Sequence, residues 1–113
     1  MAHVMPSLVC KLAYGHDAWI VGSAAKPDVN HATVRDYDLL IPMGNWQAAA
    51  MLIPSDATPN TFGGWKCQSE GREVDVWPGD LGWLMCNELS KWVWHPRTGT
   101  RFFRMNTPIP INP

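Results

Sequence analysis

Two aspartates one residue apart, Asp36 and Asp38, stand in the apolar run "VRDYDLLIP" from Val34 to Pro42. On a strand, residues two apart project to the same face, so the carboxylates point together while Tyr37 and Leu39 face the other way. Like charges held side by side repel, and aspartate is depleted in strands in any case. A cation between them removes that cost. Mg2+ is a hard ion that takes oxygen ligands, typically one or two protein carboxylates together with phosphates. The competing explanation is an exposed edge strand whose polar face is acidic. A third acid, Asp75, lies between Val74 and Val76 in "REVDVW". If its strand runs beside the first, it reaches the same cluster, and a two-metal site with ions about 3.5–4 Å apart clamps both oxygens of a phosphoryl displacement. Glu73 shares the face of Asp75 and is the alternative ligand; the flanking valines favour Asp75.

One further step has chemical meaning. "AWIVG" ends in glycine and is followed by Ser23. A strand that ends in Gly22 and opens into a helical turn presents backbone N–H groups, and with the Ser23 hydroxyl these bind phosphate. Capping the turn is an equally ordinary use of Ser23 and is compatible with the first.

The order of these pieces resembles the DNA polymerase beta-like nucleotidyltransferase superfamily. A strand ends in Gly-Ser, Asp-x-Asp follows about a dozen residues later in an apolar strand, and a third Asp sits between valines on a later strand. The resemblance covers roughly residues 18–78. It implies that Gly22 and Ser23 hold the triphosphate of a nucleotide and that Asp36 and Asp38 carry both metals, Mg2+ or Mn2+. It implies that Asp75 binds the catalytic metal and helps deprotonate an acceptor hydroxyl. The reaction implied is transfer of a nucleoside monophosphate from a nucleoside triphosphate, with release of pyrophosphate. Two departures stand out: Pro27 interrupts the segment after Gly-Ser, and no long C-terminal helical domain follows. The chain is most similar to minimal single-domain members, which work beside a helical protein partner or as homodimers. The alternative is a catalytically impaired binding module acting on a protein or nucleic-acid partner.

The elements that must position these groups follow from pattern. Residues 4–14 suit a short helix with Pro6 in its first turn. Residues 18–22 and 34–42 read as strands, and 44–54 as a helix capped by Asn45. Residues 55–60 read as a loop. Residues 61–69 and 72–78 form a hairpin with Gly71 in the turn. Asp80 caps a helix over 81–92, in which Leu81, Leu84, Met85 and Trp92 make the stripe, and 93–105 forms a second hairpin around 96–99. The expected fold is α+β, an α/β sandwich: a small mixed sheet with helices mainly on one side, nucleotidyltransferase-like. Residues 1–105 make one domain and 106–113 an extended, proline-rich tail.

Bulk composition limits the alternatives. The chain has 113 residues, 46% hydrophobic and 17% charged, with a formal net charge of −1, so a global basic field for nucleic acid is excluded. No apolar run reaches a membrane span, and the N-terminus lacks a basic segment leading into one. Cys10, Cys67 and Cys86 are widely spaced and read as reduced thiols in a cytoplasmic protein. Seven tryptophans fill a core or line a groove, and Trp46, Trp65 or Trp77 can stack on a base. Arg97, Arg101 and Arg104 with Phe102 and Phe103 make either a small basic-aromatic patch or a solvated hairpin. The acceptor, whether protein, small molecule or RNA, leaves no signature.

Overall fold

A computed structural model describes residues 4–80 and 91–104. Helix α1 (Ser7–Gly15) begins directly after Pro6, which supplies no N–H to miss. Its first donors are satisfied from a distance: the Ser7 N–H donates to Glu70 Oε1 (3.0 Å) and the Leu8 N–H to Ser69 Oγ (3.4 Å). Strands β1 (Trp19–Val21) and β2 (Asp36–Ile41) follow, separated by a 3-10 turn at Ser23–Ala25 and a loop. Then come α2 (Trp46–Ala50), β3 (Thr58–Pro59), β4 (Trp65–Ser69), β5 (Arg72–Pro78), β6 (Lys91–His95) and β7 (Thr100–Arg104).

The seven strands among the described residues belong to one sheet in the order β3-β4-β5-β2-β1-β6-β7. Strands β2 and β5 run parallel, which requires a crossover, and the segment carrying α2, β3 and β4 provides it. The other neighbouring pairs are antiparallel. The sheet is therefore mixed, as expected, and wider than a small one.

Strand alternation divides the side chains between two faces. Tyr37, Leu39, Ile41, Val74, Val76 and Ile20 form the main core with Leu8, Val9, Leu12 and Ala13 of α1 and Ala49 of α2. Helices α1 and α2 thus lie on one face. Burying each large aliphatic side chain contributes about 1.5–3 kcal/mol, and this cluster holds most of the buried hydrophobic side chains among the described residues. The opposite face carries a smaller apolar cluster of Val21, Leu40, Trp77 and Val93, with Trp19 at its margin. That second face also carries the acids.

Several elements depart from the sequence expectation. Helix α2 stops at Ala50 rather than continuing to residue 54. Its end tightens into i−3 bonds, from Met51, Leu52 and Ile53 N–H to the carbonyls of Ala48, Ala49 and Ala50. Asn45 does not cap it; its amide donates to His16 O at 2.8 Å. The strand expected from residue 61 begins at Trp65, because Asn60–Gly64 form a turn. The loop at 55–60 contains the two-residue edge strand β3, where Pro59 lacks only a solvent-side donor. Lys91 and Trp92 open β6 instead of closing a helix; the rest of that expected helix lies outside the described residues, as does the tail 106–113. The β4–β5 hairpin turns where expected, with Glu70 (φ 53°) and Gly71 (φ 78°) both left-handed, as a tight primed turn requires.

Candidate functional site

The parallel pairing of β2 with β5 sets Asp38 directly opposite Asp75 and Asp36 opposite Glu73. All four carboxylates therefore belong to the face away from the helices, on adjacent strands about 4.8 Å apart. Asp36 is exposed; Asp38, Glu73 and Asp75 are half-buried. From the other side, Val21 of β1 pairs with Asp38, which brings the end of β1 to the same point. A Cβ added to Gly22 would stand 3.8 Å from Asp38 Oδ2, and Gly22 has a φ of +90°, a conformation that favours glycine. Ser23 is exposed at the start of the 3-10 turn. The structure thus brings Asp38, Asp75 and Gly22 together, with Asp36 and Ser23 each one step outward.

Electrostatics at this point are strained in one direction. Burial pushes the Asp38 carboxyl up to about 6, the Asp75, Asp36 and Glu73 charges add to the rise, and Lys91 opposes it. Lys66 lies opposite Asp75 on β4 and places its Nζ 3.8 Å from Glu73 Oε2. This exposed pair is worth little in stability. The donor set is all hard oxygen carried by rigid strands, which fits a divalent cation such as Mg2+ or Mn2+. Among the described residues no three Asp, Glu, His or Cys side chains converge as a ligand set.

Asn60 contributes a residue that sequence reasoning passed over. Its amide reaches Asp75 Oδ1 at 3.3 Å from the loop before β4. The available signal was an asparagine ahead of a Gly-Gly pair, which marks a turn built on the side chain. Lys91 was likewise hidden in an expected helix, and its position on β6 puts it within electrostatic range of Asp38.

Other expected participants are occupied elsewhere. The Gly22 N–H donates to Trp92 O at 2.8 Å, so it is committed to the join between β1 and β6. Trp77 is buried, with the Phe62 ring 5.2 Å from its own, and Trp46 packs on the main core. Trp65 keeps an exposed face. Arg97 pairs with Asp17, and Arg101 lies 4.5 Å over the Trp94 ring while donating to Ala25 O at 2.8 Å. These two arginines secure the second hairpin to the body, which accounts for them structurally. Comparison of the chain with protein-family models, curated proteins and solved structures gave no match.

Proposed function

We propose that the protein is a metal-dependent nucleotidyltransferase that moves a nucleoside monophosphate from a nucleoside triphosphate to an acceptor hydroxyl. The observation that carries this reading is the register that sets Asp38 against Asp75 on one sheet face, with Asp36 beside them and Gly22 at the Asp38 carboxylate. Asp36, Asp38 and Asp75 would hold Mg2+ or Mn2+. The bound cations supply charge neutralisation for the triphosphate and for the charge that develops during transfer. Ser23, with the exposed turn behind Gly22, orients the phosphates. Asp75 accepts the proton of the acceptor hydroxyl as its oxygen bonds to the α-phosphorus. The bond from that phosphorus to the bridging oxygen breaks, and pyrophosphate leaves with the electron pair. A cytoplasmic setting and a helical protein partner or second copy to hold the acceptor belong to the same reading. Among the described residues no helix is long and apolar enough to cross a membrane.

A second reading, an impaired nucleotidyltransferase-like module that binds a protein or nucleic-acid partner, draws on one observation. The Gly22 N–H is already given to Trp92 O, which removes one donor from the phosphate grip.

Calorimetric titration with each nucleoside triphosphate separates the two. With Mg2+ present, wild-type protein is expected to bind at least one triphosphate, and the Asp36→Asn/Asp38→Asn variant to lose at least about 100-fold in affinity, roughly 3 kcal/mol. A folded wild type that binds none of the nucleoside triphosphates, or equal binding by both proteins, would favour the second reading.

A further inference from the structure

Both ends of the Asn60 side chain are in use. Its Oδ1 accepts from the N–H groups of Phe62 (3.0 Å) and Gly64 (2.9 Å), which closes the turn before β4. Its Nδ2 faces Trp65 O (3.2 Å), Val76 O (3.1 Å) and Asp75 Oδ1 (3.3 Å). The surroundings fix which end is which: two backbone donors demand the oxygen, and two carbonyls and a carboxylate demand the nitrogen. Closing the turn needs only the oxygen. The donation to Asp75, fifteen residues away, is a separate feature.

The loop is also clamped where it matters. Gly64 lies so close to β5 that a Cβ there would fall 1.8 Å from Val76 O, at the residue following Asp75. Asn60 is thereby held against β5 and its amide cannot drift from the carboxylate. An amide is a suitable partner at that position. It restrains the rotation of the carboxylate through one oxygen and leaves the negative charge intact for a cation, which a lysine or arginine would neutralise. We infer that Asn60 is a positioning residue for Asp75: it fixes Oδ1 and leaves Oδ2 as the oxygen not engaged by Asn60. This inference rests on the proposed function, because it assigns Asn60 a role only if Asp75 holds a metal.

The test uses Mn2+ alone, with bound ion measured as loss of the free-ion electron paramagnetic resonance signal, on wild type, Asn60→Ser, Asp75→Asn and the double variant. A serine hydroxyl still accepts from the backbone two residues on but is too short to reach Asp75. Asn60→Ser is expected to weaken Mn2+ binding about 10-fold, the size typical of outer-shell partners. In the Asp75→Asn background the same substitution is expected to change affinity less than about twofold, because its target is gone. An equal loss in both backgrounds would overturn the inference, since a loosened loop acts whether or not Asp75 is present. So would wild-type affinity in Asn60→Ser while Asp75→Asn binds weakly; that result leaves the site assignment standing. Wild-type protein that fails to bind Mn2+, or binds it unchanged in Asp75→Asn, defeats the site assignment and this inference together.

Discussion

Asp38→Asn is expected to melt about 5 °C above the wild-type protein at pH 8, and to show no such gain below about pH 4. In the folded protein burial and the neighbouring acids raise the Asp38 carboxyl to about 6, against 3.8 unperturbed. Between these two values the folded state binds more protons than the unfolded one. Stability therefore falls as pH rises through that window, and above it the ionised carboxylate is a standing penalty. Discounted for its partial exposure, the penalty is on the order of 1–2 kcal/mol. Asparagine keeps the shape and removes the charge, so the variant is relieved of the penalty at pH 8. Below the unfolded value both states of the wild type are protonated and there is nothing to relieve. The same substitution should abolish metal-dependent triphosphate binding. Gain of stability with loss of binding is the signature of a charge kept for a ligand. A variant less stable than wild type at pH 8 would mean that Asp38 is compensated within the protein and needs no cation.

Gly64→Ala is the most damaging single-methyl change the structure points to. The new Cβ would meet Val76 O at 1.8 Å, Trp77 Cα at 2.7 Å and Val76 C at 2.8 Å, all backbone atoms of a central strand. Backbone in a sheet does not yield as a flexible side chain does, so the loop must lift away from β5. Lifting it breaks the Asn60 bonds to Val76 O and Asp75 Oδ1. The loss expected in urea unfolding is at least about 3 kcal/mol, the upper range for overpacking. Gly63→Ala is the control. Gly63 has a φ of +83° but nothing within 4 Å of an added Cβ, so only local strain of about 1 kcal/mol applies. Similar midpoints for the two variants would show that the loop does not press on β5.

Much of this site was legible in the sequence because it depends on strand alternation. Asp36 and Asp38 share a face for the same reason that Asp75 and Glu73 do, and apolar runs located both strands. Their parallel adjacency was not legible, since pairing is settled by the crossover and by packing against α1 rather than by either strand alone. The Gly22-Ser23 step was visible, but the loss of the Gly22 N–H to Trp92 depends on β6. Residues 91 and 92 read as helix because Trp92 extends a plausible stripe; strand pairing with β1 overrode that local preference. Asn60 was missed because a polar residue in a loop ordinarily signals only a turn.

The central claim is that the Asp38–Asp75 pair exists to hold a cation that in turn holds a triphosphate. Its most direct test is anomalous diffraction from crystals grown with Mn2+ and a non-hydrolysable nucleoside triphosphate. The account predicts an anomalous peak in contact with carboxylate oxygens of both Asp38 and Asp75, about 2.1 Å from each, with the phosphates beside Ser23. Crystals with clear carboxylate density and no peak at that pair, or a nucleotide bound elsewhere on the sheet, would contradict it.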